Sequence, residues 1–348
     1  MAYTTINKST AHFNTKLYTG DGSSSRNITG VGFKPDLLWI KNRNATQYHF
    51  LFDVVRGVSK ALFSNDSATE STQASTQTAF LSDGFTVGND AASNGNGNGI
   101  ASWNWKTGTS FSNSAGANGA SIASTGSVNT AAGFSIISYT GSGSNATVAH
   151  GLGVAPKMII VKNRQGSNSW RVAHDSIGWN KSLFLDNTNS AQTEAYFQNT
   201  APTSQVFYIG TDGGTNGNNN NIIAYCFADV QGYSKFGSYK GNNNTNGTFI
   251  NTGFSPAFIM VKKTSGTGGW QVRDNKRTAY GNETKNLLYA NATSTEQTTD
   301  GFDFLSNGFK WRNQASDDNG TGDYIYMAFA SNPFVATSGS DAIPVTAR

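Results

Sequence analysis

The chain repeats one sequence pattern three times. Each copy opens on Tyr-x-Gly, and a proline follows 17 residues after each tyrosine. Each proline leads a hydrophobic run that ends in lysine: DLLWIK, KMIIVK and AFIMVK. Internal repeats set the domain organisation of a chain, so an offset kept in three places predicts three copies of one fold. The tyrosines are Tyr18, Tyr139 and Tyr239, and the prolines are Pro35, Pro156 and Pro256.

The rest of each copy predicts antiparallel β-structure. Short runs of aromatic and β-branched residues alternate with turns of Gly, Asn and Asp. The closing aromatic strands end at Trp105, Phe227 and Phe329, which lie 70, 71 and 73 residues after their prolines. Copies of about 100 residues favour an all-β chain of three tandem antiparallel β-sandwich modules, jelly-roll or lectin-like.

The spacing of the copies predicts the domain boundaries. The three β-sandwich repeats cover residues 16–106, 134–232 and 233–334. Residues 107–133 are rich in Ser, Gly and Ala and are typical of a flexible or extended linker. Residues 1–15 are interpreted as an anchoring segment, and residues 335–348 as a C-terminal tail.

Paired hydrophobic faces predict the core of each module. The large apolar residues after each proline alternate, as they do in the closing strand, so we expect these two segments to contact each other within one copy. The residues after the prolines are Leu38, Ile40, Ile159, Val161, Ile259 and Val261. Their expected partners are Trp105, Phe227 and Phe329.

Composition excludes several classes of protein. Charged residues make up 13% of the chain and the net charge is +4, with no cluster of Lys and Arg that would follow a phosphate backbone. No apolar run reaches the roughly 20 residues that cross a bilayer. We therefore predict no nucleic-acid partner and no membrane insertion. Because Cys226 is the one cysteine, an intrachain disulfide is excluded.

Six repeated positions are the candidate ligand-binding residues. An aromatic residue follows the first strand of each copy, and an aspartate comes four or five residues later. An aromatic platform beside a carboxylate suits sugar hydroxyls. The alternative is a turn or buried hydrogen-bond role common to all three modules. The aromatics are Tyr48, Trp170 and Trp270, and the aspartates are Asp53, Asp175 and Asp274.

No motif for catalysis, a cofactor or a metal stands out. The four histidines are scattered, and the Gly-rich runs lack the Gly-Lys-Ser/Thr that follows in a phosphate-binding loop. The loop at residues 317–323 (DDNGTGD) is rich enough in oxygen to suggest Ca²⁺, but long turns explain it as well. The sequence therefore predicts a protein that is not an enzyme and has no cofactor.

The repeated phrases resemble those of virion structural proteins of tailed, mostly marine, bacteriophages. The resemblance rests on Tyr-Thr-Gly, Gly-x-x-Pro and the apolar run ending in Lys-Asn-Arg, and also on residues 149–157 (AHGLGVAPK) and 324–330 (YIYMAFA). It covers almost the whole chain. It implies a tail-fibre or capsid-appendage protein located in the virion and in contact with other virion proteins.

We therefore predict a virion structural protein that binds host-surface glycans multivalently, because repeated weak sites raise avidity. A purely architectural decoration protein without a host ligand is one alternative, and a polysaccharide depolymerase is the other. We also expect a homo-oligomer, most simply a trimer, fixed to the particle by residues 1–15.

Overall fold

The computed structural model describes residues 4–277, 285–299 and 301–331. Its elements are β-strands, apart from helical segments of three or four residues. None of the described helices has the length and hydropathy of a membrane span. The expected C-terminal tail at 335–348 lies outside the described residues.

Module 1 contains nine strands and one short helix. In chain order they are β1 (Phe13–Thr19), β2 (Arg26–Thr29), β3 (Leu37–Asn42), β4 (Phe50–Asp53), β5 (Lys60–Phe63), β6 (Ser71–Thr72), β7 (Gln77–Leu81), β8 (Gly84–Val87), α1 (Ala91–Asn94) and β9 (Gly99–Trp105). A six-stranded sheet has the order β1-β9-β3-β4-β5-β6, and a three-stranded sheet has the order β2-β8-β7.

Module 2 is preceded by two strands that join its large sheet. In chain order the elements are β10 (Thr109–Asn113), β11 (Ser124–Asn129), β12 (Phe134–Thr140), β13 (Ala146–Ala149), β14 (Met158–Asn163), β15 (Arg171–His174), β16 (Lys181–Phe184), β17 (Gln192–Thr193), β18 (Val206–Ile209), α2 (Gly213–Asn216) and β19 (Asn221–Phe227). The large sheet has the order β10-β11-β12-β19-β14-β15-β16-β17, and β13 pairs with β18.

Module 3 repeats the arrangement of module 1. Its described strands are β20 (Ser234–Gly241), β21 (Phe249–Asn251), β22 (Pro256–Lys263), β23 (Gln271–Asp274), β24 (Asn286–Tyr289), β25 (Gln297–Thr298), β26 (Phe302–Leu305), β27 (Gly308–Trp311) and β28 (Gly322–Ala330). The sheets have the orders β20-β28-β22-β23-β24-β25 and β21-β27-β26. The order and antiparallel pairing of six strands of the large sheet therefore repeat in the three modules, although the small sheet has two strands in module 2 and three in the others. The predicted all-β fold class is confirmed.

The repeated Tyr-x-Gly has a structural explanation. The hydroxyl of the tyrosine donates a hydrogen bond to a backbone carbonyl in the loop before the closing strand: Ser93, Thr215 or Asp318. The glycine lies against the same loop. A Cβ on Gly20 would come within 2.2 Å of the Gly95 carbonyl oxygen, which is too close for any other residue.

Equivalent lysines join the modules to one another. Lys162 donates from Nζ to the Ser67 carbonyl of module 1 (2.9 Å), and Lys41 to the Thr293 carbonyl of module 3 (2.8 Å). Lys262 donates to the Thr188 and Asn189 carbonyls of module 2 (3.2 and 2.8 Å). We call these contacts seam 1 (modules 1 and 2), seam 2 (modules 3 and 1) and seam 3 (modules 2 and 3). Their cyclic order gives an approximate threefold arrangement within one chain.

Each large sheet buries both of its faces. One face packs on the small sheet of its own module, and the other contributes to a single hydrophobic cluster built from all three modules, which we call the shared core. Trp105, Phe227 and Phe329 belong to the shared core, and the ring centroid of Phe329 lies 5.8 Å from that of Trp105 and 6.3 Å from that of Phe227.

The predicted contacts within each module are therefore wrong, although the burial is confirmed. Leu38 and Ile40 face the small sheet of module 1, on the side of the large sheet opposite to Trp105. The corresponding pairs in modules 2 and 3 do the same. The reason is that a sheet buried on both faces carries apolar residues at every position, so alternation does not tell which face a residue joins.

Two segments outside the repeats also differ from expectation. Residues 107–133, predicted as a linker, include β10 and β11, and Phe111 packs on the core of module 2. The N-terminal segment, predicted to anchor the chain elsewhere, places Ile6 in the shared core with 1% exposure. Backbone pairing and buried apolar side chains, which also include Val128 and Ala132, order segments whose composition is otherwise that of a linker.

Candidate functional site

Two of the aromatic candidates, Trp170 and Trp270, lie at the seams and not at an open surface. Strand register places His49, and not Tyr48, in the position of Trp170 and Trp270, directly before β4, β15 and β23. The two indoles are buried, and each donates from Nε1 to a carbonyl of the preceding module: Trp170 to Phe63 (2.8 Å) and Trp270 to Phe184 (2.7 Å). Their role is to join modules.

His49 and Tyr48 differ sharply in environment. His49 is fully buried and accepts a hydrogen bond at Nδ1 from the Trp39 indole (2.9 Å). Burial, with Lys41 and Arg277 nearby, holds the pKa of His49 well below its usual range, so the ring is neutral. Tyr48 is 41% exposed and packs against the Phe63 ring.

Asp53 and Asp274 are equivalent, but Asp175 is not their counterpart. Both equivalent residues end a strand and are fully buried, whereas the register places His174 at their position in module 2. Asp175 is one residue further on, 43% exposed, and paired with Lys157 at 2.8 Å. The six candidates therefore do not form three matching ligand sites.

Asp53 and Asp274 each organise a buried turn. One oxygen of Asp53 accepts the backbone N–H groups of Val55 and Arg56, and the other accepts Nε of Arg56 at 2.5 Å. Asp274 makes the same bonds to Lys276 and Arg277, with Nε at 2.6 Å. These are the turn and buried hydrogen-bond roles that were given above as the alternative to ligand binding.

The two aspartates also connect modules through a network of charges. At seam 1, Glu70 bridges Arg56 (3.2 Å) and Arg164 of module 2 (2.9 Å), and the Tyr225 hydroxyl donates to Asp53 (2.8 Å). At seam 2, Glu296 bridges Arg277 (2.8 Å) and Arg43 of module 1 (2.6 Å), and the Trp103 indole donates to Asp274 (3.0 Å). Two of the three seams therefore carry Asp–Arg–Glu–Arg.

Seam 3 carries uncharged residues at all four of these positions. They are His174, Ile177, Ala191 and Thr264. Met327 stands where Tyr225 and Trp103 donate at the other seams, and it has no donor. His174 faces the Tyr326 carbonyl through Nε2 (3.4 Å), and burial lowers its pKa to about 4. All four positions of the charge network are thus changed together at seam 3.

A cleft lies within module 3. Its volume is about 650 Å³, and its wall includes Gln271, Tyr289, Thr298 and Asp318. Asp318 is 1% exposed, and burial raises its pKa to about 6 against the opposing effect of Arg273, which lies 3.8 Å away. Buried polar groups with shifted pKa values in a cleft indicate a functional site.

Two acceptor oxygens buried in the wall of this cleft have no hydrogen-bond partner among the described residues: Oδ1 of Asp318 and Oε1 of Gln271. The other oxygen of Asp318 accepts from the Asn313 amide (3.2 Å). An unpaired buried acceptor costs free energy of about 1–3 kcal/mol, which a donor from a bound molecule would offset. The cleft is therefore suited to a ligand rich in O–H or N–H groups.

The sequence contains a signal for this cleft that residues shared by all three copies do not reveal. The tyrosine hydroxyl bonds place Asp318 at the position of Ser93 and Thr215. A carboxylate in one copy where the other two have hydroxyls is a difference between copies, and it falls in the loop considered for Ca²⁺. Among the described residues no group of three or more His, Cys, Asp or Glu side chains could hold a metal ion.

Comparison with known families assigns the chain to one of them. The DUF7483 family, a domain of unknown function, matches residues 8–333, so the chain belongs to that family. Searches of curated proteins and of solved structures found no match.

Proposed function

We propose that this member of the DUF7483 family is a structural protein of a tailed-phage virion, a tail-fibre or capsid-appendage component that binds host-surface carbohydrate and has no enzymatic activity. The repeated phrases that resemble virion proteins support the location. The shared core supports a mechanical role, since three modules packed on one core move as one body.

The observation that carries the binding function is the cleft of module 3. Sugar hydroxyls supply the donors that Oδ1 of Asp318 and Oε1 of Gln271 lack, and the hydroxyls of Tyr289 and Thr298 add further partners. Binding by hydrogen bonds within a cleft open to solvent is weak per site, so attachment depends on many chains in one particle.

Titration of the full chain with neutral oligosaccharides of glucose, galactose, mannose and N-acetylglucosamine tests this proposal. We expect binding in the cleft of module 3 that Asp318→Asn weakens and Thr298→Trp abolishes. Thr298 is exposed, so its replacement blocks the cleft without disturbing the core. The matched control is Thr72→Trp, the equivalent position in module 1, which should bind as the unaltered chain does.

Two results would contradict the proposal. Release of reducing ends from host polysaccharide would favour the depolymerase, whereas incorporation into virions without any sugar binding would favour the architectural protein. Sedimentation of the purified chain tests the proposed homotrimer. Immunolabelling of virions tests the location.

A further inference from the structure

Seam 3 contains an open space. A cleft of about 510 Å³ lies between modules 2 and 3, and Ile177, Ala191 and Thr264 line it. These are three of the four positions that carry the charge network at seams 1 and 2. Isoleucine, alanine and threonine are much shorter than arginine, glutamate and arginine, so the cleft occupies the volume that the network fills elsewhere.

The modules themselves are no further apart at seam 3. The backbone N–H of Ala191 donates to the Thr264 carbonyl at 2.9 Å, as Glu70 donates to Arg164 (2.9 Å) and Glu296 to Arg43 (2.8 Å). Lys262 and the backbone of Gly268 add bonds to the Thr188 carbonyl. The cleft therefore results from the loss of side chains within an intact seam.

The lining of the cleft is polar and nearly balanced in charge. Hydroxyls come from both modules, including exposed Ser176 of module 2 and Ser238 of module 3. Lys240 pairs with Asp323 at 3.6 Å, and Lys181 is the other charged residue in the lining. The side chains of Ser176, Ser238 and Lys181 make no hydrogen bond to a described residue, so their donors and acceptors are available.

We propose that the cleft of seam 3 is a second carbohydrate site, which takes a neutral sugar between modules 2 and 3. The ligand class rests on the proposed function of the chain. Hydroxyl groups both donate and accept, so they match sugar hydroxyls in either sense, and a lining with one ion pair and one lysine does not select a strongly charged ligand. One chain then has two different binding sites instead of three equivalent ones.

Two sites on one rigid body have a physical consequence. Once one site is bound, the second meets the same polysaccharide at a high effective concentration, so a long chain binds more tightly than a short one. This gives a single protein molecule the multivalency that the three repeats suggested.

The direct test restores at seam 3 the Glu–Arg ion pair that is found at the other two seams. Ala191→Glu with Thr264→Arg rebuilds the partly exposed half of the network and fills the cleft. The control is Val58→Glu with Val154→Arg, which adds the same residues at exposed positions outside both clefts. Ser176→Ala with Ser238→Ala is a second variant that changes exposed hydroxyls alone.

The measurement is the stoichiometry of binding to the neutral oligosaccharide panel used for module 3, by calorimetry on the full chain. We expect two sugars per chain for the unaltered protein and the control. We expect one for the filled seam, one for Thr298→Trp and none for their combination. The alanine pair should weaken one of the two sites about tenfold, as the loss of two neutral hydrogen bonds would.

The outcomes separate this inference from the proposed function. A stoichiometry of one that Thr298→Trp abolishes and the filled seam leaves unchanged would overturn the second site and leave the function in place. Failure of the unaltered chain to bind any member of the panel would overturn both. Unchanged affinity in the alanine pair would also contradict the second site.

Discussion

Replacing Phe329 with alanine removes the ring at the centre of the shared core. Phe329 is 1% exposed, and its ring lies within 6.3 Å, centroid to centroid, of rings from all three modules. The closest, Phe13 of module 1, is stacked on it at 5.0 Å. Phe→Ala in a tight core costs about 3–5 kcal/mol. For 348 residues this lowers the melting temperature by about 4–7 °C.

The strands in which stability is lost are more informative than the size of the loss. Because Phe329 contacts every module, we expect faster amide hydrogen exchange in the central strands β9, β19 and β28 together. The matched control is Phe309→Ala, an equally buried ring whose contacts are within module 3. Its effect on exchange should be largest in module 3.

Exchange that rises in module 3 alone for Phe329→Ala would refute the shared core as the unit of stability. It would mean that the three modules unfold independently, as separate sandwiches joined in tandem do. Calorimetry checks the same point, since independent modules give more than one transition.

Three further predictions concern a seam, two buried histidines and the segment before β1. Tyr225→Phe removes the hydroxyl that donates to buried Asp53 and should cost about 1.5–3 kcal/mol in urea unfolding, and an unchanged midpoint would contradict the bond. Burial lowers the pKa of His150 and His174 to about 4, so the unfolded chain binds more protons between pH 6.5 and 4. The free energy of unfolding should therefore fall as the pH is lowered from 6.5 to 4, by up to about 3 kcal/mol for each histidine. A free energy of unfolding that does not change over this pH range would contradict the prediction. Deleting the segment before β1 removes Ile6 from the shared core and should lower the melting temperature, whereas a free anchor would leave it unchanged.

The sequence was sufficient to predict the repeat and the all-β fold. A fixed spacing between Tyr18 and Pro35, found again in two copies, reflects a tyrosine hydroxyl and a strand that each module uses in the same way. Which face of each strand joins the shared core could not be predicted in this way, because apolar residues occupy both faces of β3. Which face meets the shared core depends on how the modules pack, and no local pattern records that.

The candidate site was missed for a related reason. Trp170 and Trp270, which stand at one position in two of the copies, are residues by which modules 2 and 3 contact the preceding module. The clefts arise where the copies differ: Asp318 in place of a hydroxyl residue, and Ala191 in place of glutamate. In a chain built from repeats, residues alike in all copies point to architecture, and residues that differ are the better candidates for binding.

A crystal structure of the full chain with the tightest-binding neutral oligosaccharide tests the proposed function most directly. The account predicts a sugar in the cleft of module 3, with a hydroxyl within hydrogen-bonding distance of Oδ1 of Asp318. A sugar bound at an exposed position away from both clefts, such as Tyr48, would contradict it.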